Sequence, residues 1–416
     1  MSKQIKKYNT FSGVFVPTFL TIIGVILYLR LGYVVGNAGI LGTLLIILLS
    51  ASITFCTALS ISSIITEIKV GAGGAYSIIH KTLGREIAGS IGIPFYFAQA
   101  FSVAFYVFGF SEAWTYIFPE HPFLLVVFAA FILLFLLTYL TTSLAVKTQV
   151  VIFIIILLSL TSVFLGDGLW FAKEPLVPLF GAFQEMPFFS VFALFFPAVT
   201  GILAGIGLSG VLKNPRKQIR RGVLSAVGIT TLIYIAVAAW FGFSATPSQL
   251  IGDTGIMVKL AAFGPLVLLG ILSATFSSAL VNYVSAPRLL QALAGHELVP
   301  FSNIFRKTTK KGEPRIANLL TSLIIIATFL LGSINLVAPI LTVLFLIVYV
   351  IINLAILIKQ TRKSFKPAFK VPRIIPVYGI IASVVLIFLI SAVSGIIALI
   401  SISLIYVIFS RKNNFK

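Results

Sequence analysis

The chain has 416 residues, of which 59% are hydrophobic and only 10% charged. A water-soluble domain of this size could not solvate its surface with so few charges, so lipid must cover most of it. The formal charge of +20 invites a nucleic-acid reading, which the placement of the basic residues excludes.

At about 20 apolar residues per crossing, twelve spans are expected, at residues 12–38, 40–67, 86–117, 122–145, 148–166, 188–212, 220–244, 257–293, 315–333, 335–359, 374–391 and 393–410. All should be helical, because an isolated strand leaves its backbone unpaired in lipid. The expected fold is all-α and polytopic: a tail at 1–11, a transmembrane domain at 12–410 and a tail at 411–416, with no C-terminal regulatory domain.

The first span, GVFVPTFLTIIGVILYLRL, follows Lys3, Lys6 and Lys7 and is interrupted at Pro17 and Gly24. It has no small-residue cleavage site and runs on into further spans, so it reads as a signal anchor. Cys56 in the second span is the only cysteine, which excludes disulfides and thiolate metal sites. The stretch GAGGAY, from Gly71 to Tyr76, neither follows a strand nor carries a phosphate-loop lysine. It reads as irregular backbone at the cytoplasmic mouth, not a nucleotide site.

In the third span Tyr106 lies mid-way and Glu112 in the outer third, at a depth similar to that of Arg30 in the first. Intramembrane ions are costly unless paired, so the two form a candidate extracellular pair, the alternative being that each snorkels to the interface. The sixth span, FALFFPAVTGILAGIGLSG, is broken at Pro197 and Gly201. The eighth carries Ser277 and Ser278 mid-way, and the tenth carries Tyr349. His80, His121 and His296 sit at helix ends and form no metal cluster or triad.

Of the 30 Lys and Arg residues, 27 fall on alternate connections, leaving Arg30, Lys173 and Lys259 toward the other face. That is the positive-inside bias, and it puts both termini in the cytoplasm of a multi-pass cell-membrane protein. The basic loops orient the chain and can touch anionic lipid.

The two broken spans lie five apart, the offset of a 5+5 inverted repeat in which helices 1–5 and 6–10 correspond. A helix interrupted at mid-membrane exposes carbonyls on one half, which suit hard cations, and amides on the other, which attract anions. The amide turns here are Gly24-Val25-Ile26 and Gly201-Ile202-Leu203. Because the midplane has no carboxylate, a cation bound there needs a neutralising partner, and a co-bound anion supplies it. Hydroxyls of Ser277 and Ser278 beside the Ala274 carbonyl offer hard oxygen ligands for sodium, although serines at helix contacts are also ordinary packing residues.

The segments GVILYLRLGYVVGNAGI, VGAGGAYSIIHKTLG, AFYVFGFSE, FFPAVTGILAG with KNPRK, and SSALVNYVSAPRLLQA resemble the cation–chloride cotransporter family, within the amino acid–polyamine–organocation superfamily. The chain resembles a compact, prokaryotic-type member nearest the sodium–potassium–chloride branch. The resemblance implies a potassium site of Tyr106, Pro197 and Thr200 with the backbone of Thr21 and Ile22. It implies one chloride on Gly24, Val25 and Ile26, and a second near Gly201, Ile202 and Leu203, closed by Tyr349. It implies a sodium site of Leu20, Ile23, Ala274, Ser277 and Ser278, and an extracellular gate of Arg30 and Glu112. Thr21 stands where the family commonly has Asn, so sodium–chloride symport without potassium stays open.

The function expected is electroneutral symport of sodium, with potassium as second cation, and chloride by alternating access, without enzymatic activity or a cofactor beyond the transported ions. Inorganic ions, membrane lipid and a second copy of the chain are the expected partners. A sodium-coupled amino acid transporter of the same superfamily is the alternative, and an ion channel or transport-inactive sensor a further one.

Overall fold

The computed structural model describes residues 9–67, 75–140, 148–166, 174–183, 185–207, 212, 214–309, 312–362, 365–393, 395–396 and 400, and every regular element among them is a helix. The expected twelfth span and 411–416 tail, the N-terminal lysines, Lys147, Lys173 and the glycines of GAGGAY lie wholly or almost wholly outside the described residues.

One π-helical turn, Phe11–Phe15, leads into α1 (Val16–Ile22), which carries Pro17 in its first turn. Helix α1 stops at Ile23, whose φ of −81° and ψ of 82° leave the helical region. Gly24 is extended, and α2 (Val25–Leu29) then starts a new helix. The expected interruption of the first span is therefore a true break of the backbone ladder. A second, smaller one at Arg30 precedes α3 (Leu31–Glu67).

Helix α3 turns a corner at Gly39, with φ 72° and ψ 178°, where the first span was expected to give way to the second. That conformation is open only to glycine. The corner frees backbone groups that the segment 174–183 satisfies: the amides of Ile40 and Leu41 donate to the carbonyls of Pro178 and Leu179, and those of Gly181 and Phe183 to Ala38 and Asn37. Packing there is backbone on backbone, and a Cβ on Gly39 would lie 2.5 Å from the Gly181 nitrogen.

Next come α4 (Ala75–Leu83), α5 (Arg85–Ile117), α6 (Phe123–Leu140) and α7 (Gln149–Phe164). The sixth span divides into α8 (Phe188–Phe195), a 3-10 turn at Phe196–Val199 and α9 (Ile202–Gly207). It is thus interrupted like the first. Helix α10 (Pro215–Ser244) is unbroken, and the short α11 (Pro247–Gly252) and α12 (Ile256–Leu260) follow. The eighth span, expected from 257, begins later as α13 (Gly264–Gly295): Ala261 and Phe263 leave the helical region, and Gly264-Pro265 restarts it. The remaining elements are α14 (Ser302–Phe305), α15 (Arg315–Phe329), α16 (Ile334–Thr361) and α17 (Ile374–Ile390).

Among the described residues, six helical runs are long and apolar enough to cross a membrane: Phe11–Leu29, Leu31–Glu67, Ile87–Ile117, Arg216–Ser244, Gly264–Gly295 and Ile334–Thr361. Five shorter apolar helices accompany them. Burial sorts the long ones. The broken first run has 89% of its apolar window inside the protein, against 44% for Arg216–Ser244, so the break sits at the centre of the bundle. Leu124, Leu125 and Ile132 on α6 and Val151 and Leu158 on α7 stay exposed. Large apolar side chains on an outer face are what a lipid-facing surface requires.

Gly39→Ala is expected to cost about 2–3 kcal/mol, through forbidden backbone and the clash with Gly181, whereas Gly42→Ala, which meets the Ala38 side chain at 3.2 Å and the Phe183 ring at 3.8 Å and no backbone, should be tolerated. Thermal unfolding of both variants in detergent checks the contrast, and equal midpoints would contradict the corner's role.

Candidate functional site

The last carbonyls of α1 have no helical partner once the chain breaks at Ile23. In an apolar interior an unmet carbonyl is costly, and three hydroxyls from three different helices answer it. Ser278 of α13 donates to the Leu20 carbonyl at 3.2 Å. Tyr106 of α5 donates to the Thr21 carbonyl at 3.1 Å. Tyr234 of α10 donates to the Ile22 carbonyl at 2.8 Å, and the Gly24 amide donates to that same oxygen at 3.0 Å. The Thr21 hydroxyl turns away, to the Pro17 carbonyl at 2.6 Å, so Thr21 offers the site its backbone and not its side chain.

The second break lies against the first. A Cβ on Gly201 would stand 2.8 Å from that of Thr21 and 3.0 Å from the Ile22 nitrogen, so only glycine lets the two broken helices approach this closely. Thr200 donates its hydroxyl to the Pro197 carbonyl at 2.8 Å. Tyr106 also packs against Gly24, whose Cβ would sit 3.4 Å from the Tyr106 ring. Of the residues expected around potassium, Thr21, Ile22 and Tyr106 therefore meet at one point, and Thr200 and Pro197 pair with each other beside it.

Both expected amide turns begin short helices, Val25–Leu29 and Ile202–Gly207. Their first amides point along the helix axis without intrahelical acceptors. The Gly24 amide is an exception, because it is turned back onto the Ile22 carbonyl. Tyr349 is fully buried, its ring edge-on to Phe196 at 6.1 Å, and its hydroxyl has no hydrogen-bond partner of ordinary geometry among the described residues. Around the expected sodium site, Leu20, Ile23, Ala274, Ser277 and Ser278 are all buried, and Ser278 is the serine that hydrogen-bonds to the break.

Arg30 and Glu112 meet in a bidentate pair, at 2.8 and 2.7 Å. Their side chains are 5% and 21% exposed, which rules out independent snorkelling. The register follows from Gly109, one turn before Glu112, which lets α5 close onto Val25. Arg30 also donates to the Asn335 side chain at 2.7 Å and to the Leu29 carbonyl at 2.9 Å. At the far end of α13, the His80 and His296 rings stack at 3.9 Å and Tyr76 bonds His296 at 2.7 Å. Burial first, then the Arg85 guanidinium, holds His296 below its ordinary pKa. Among the described residues no set of three His, Cys, Asp or Glu residues is grouped to hold a metal.

Sequence reasoning missed Tyr234 and Asn335. Tyr234 carried the same signal as Tyr106 and Tyr349, a phenol in mid-span. Nothing local marks Asn335, whose partner lies 305 residues away.

A family model described as amino acid permease matches residues 13–416. The chain belongs to the amino acid permease family. The permease is similar to Solute carrier family 12 member 2 of Homo sapiens, 34% identical over 431 residues, covering 89% of this chain and 36% of that protein. It is also similar to Solute carrier family 12 member 1 of Homo sapiens, 35% identical over 428 residues, covering 88% of the permease and 39% of the relative. With the Mus musculus member 1 it is 32% identical over 472 residues, covering 98% and 43%. These are cation–chloride cotransporter homologues, which bears out the resemblance found in the motifs. The permease spans roughly two fifths of their length. Membership of this family makes it a non-enzymatic, multi-pass membrane protein.

A double-mutant cycle with Arg30→Gln and Glu112→Gln is expected to give a coupling energy of about 2 kcal/mol, within the range of about 0.5–3 kcal/mol for residues joined in one salt bridge. Thermal unfolding of the four proteins measures it, and a coupling near zero would mean the pair contributes nothing to holding α2 against α5.

Proposed function

We propose that this permease is a secondary active symporter that couples sodium, and potassium as a second cation, to chloride by alternating access across the cell membrane. In this reading the fold is a twelve-span 5+5 inverted repeat with both termini in the cytoplasm. The observation that carries the proposal is the run of three consecutive carbonyls, Leu20, Thr21 and Ile22, each facing a hydroxyl from a different helix beside the second broken helix. A cluster of neutral oxygens at the centre of the bundle suits a desolvated alkali cation. Among the described residues no carboxylate stands in this cluster to balance a cation, and Glu112 is committed to Arg30. A co-bound anion on the amide turns supplies the balance and makes the cycle electroneutral.

The roles follow from the oxygens. Potassium uses the Thr21 and Ile22 carbonyls, Tyr106, Pro197 and Thr200. Sodium uses Ser277 and Ser278 with the carbonyls of Leu20, Ile23 and Ala274. One chloride sits on the amides after Gly24. The other sits on those of Gly201, Ile202 and Leu203 under the Tyr349 hydroxyl, which has a proton to give. Arg30 and Glu112 close the outer mouth. Beyond these ions no cofactor is called for.

The description of the matching family model favours a second reading, an amino acid as cargo. Against it stands the crowding at the break, where Ile22, Ile23, Val25 and Ile26 are all buried and leave little room for a substrate carboxylate.

The deciding measurement is uptake of rubidium, as a potassium surrogate, and of chloride into proteoliposomes, with sodium, potassium and chloride varied singly. Each uptake is expected to require the other ion, and rubidium uptake indifferent to chloride would defeat the proposal, as would amino acid uptake in its place. Ser277→Ala with Ser278→Ala is expected to reduce sodium-stimulated uptake at least tenfold, and an unchanged sodium response would remove the assigned cation cage.

A further inference from the structure

Tyr234 belongs to no motif that pointed to the site, yet it touches both broken helices. It rises from α10, one of the unbroken helices, and is fully buried. Its ring packs edge-on against Phe195, the last residue of α8, at 5.3 Å and 82°. Its hydroxyl donates to Ile22, the last residue of α1. One side chain thus ties the last residue of α1 to the last residue of α8.

The Ile22 oxygen is the crux. A carbonyl oxygen has two lone pairs, and here both are taken, one by the Tyr234 hydroxyl at 2.8 Å and one by the Gly24 amide at 3.0 Å. The neighbouring Thr21 oxygen accepts the Tyr106 hydroxyl at 3.1 Å. A cation cannot coordinate the Ile22 oxygen until one of its donors leaves. The Gly24 amide is fixed by the backbone two residues on. The Tyr234 phenol is held by side-chain torsions alone, so it is the donor that can go. A neutral hydrogen bond of this kind is weak on balance, because water would have made it too, and a desolvated cation can displace it.

We infer that the Tyr234 hydroxyl competes with the second cation for the Ile22 carbonyl, so that cation binding releases the first broken helix from α10. Tyr234 is then a positioning residue that sets cation affinity and reports occupancy to the unbroken part of the bundle. The inference rests on the potassium reading of the site given above. It differs from a packing role in sign: losing a packing or ligand hydroxyl weakens binding, and losing a competitor strengthens it.

The test is Tyr234→Phe, which keeps the ring on Phe195 and removes only the hydroxyl, compared with Tyr106→Phe in the same proteoliposomes. The KM for rubidium is measured at saturating sodium and chloride, and the KM for sodium at saturating rubidium and chloride. Tyr234→Phe is expected to lower the rubidium KM about fivefold, the equivalent of about 1 kcal/mol, with the sodium KM unchanged. Tyr106→Phe is expected to raise the rubidium KM. A rubidium KM that rises or stays constant in Tyr234→Phe overturns the inference, as does a parallel change in both cations. A Tyr234→Phe protein that elutes aggregated in detergent makes the hydroxyl structural and overturns it too. Wild-type protein that takes up no rubidium defeats the potassium reading itself, and this inference falls with it.

Discussion

A helix interrupted inside a membrane protein carries unpaired backbone groups into surroundings without water, and everything else near the centre of this permease answers that constraint. Oxygens of Leu20, Thr21 and Ile22 would each cost a few kcal/mol if left bare. Ser278, Tyr106 and Tyr234 meet them from α13, α5 and α10. These three helices therefore have fixed heights and rotations relative to α1, and their other contacts follow. Glu112 reaches Arg30 because α5 is already seated less than two turns away, at Tyr106.

The same constraint explains why function and folding are hard to separate here. Apart from the Gly24 amide, the groups that satisfy the break in the protein alone are hydroxyls, which both donate and accept. A cation needs acceptors at the same oxygens, and a hydroxyl can rotate to present its lone pair. A carboxylate would bind a cation more strongly, but buried without a partner it would be expensive. In the proposed reading, neutral oxygens let the site fold without a buried unpaired charge and keep it weak enough to release a cation.

Much of this was legible in the sequence for a simple reason: breaks in helices are written locally. Pro17 with Gly24 and Pro197 with Gly201 mark their positions within a turn, and hydropathy marks the spans. The pairing of Arg30 with Glu112 was legible only in part: matched depth made the two candidates but left snorkelling open, and the family resemblance favoured the pair. Boundaries near 257–264 were not, since α12 is as apolar as the span it precedes and the hydropathy window runs across Ala261 to Phe263 without a change. Tyr234 and Asn335 were illegible because their meaning lies in partners more than two hundred residues away. A mid-span phenol says that it needs an acceptor, not which one.

Gly201 lies against Thr21 and Ile22 with no side chain between them, so the two broken helices bear on each other like the leaves of one hinge. A bearing of this kind carries load only in compression. Tilting α9 toward α1 must push the first break, while tilting it away leaves that break to be drawn only by its hydroxyl tethers. In the alternating-access cycle proposed above, the two strokes would then differ mechanically, one driven by contact and the other by hydrogen bonds, and the two directions need not share a barrier height.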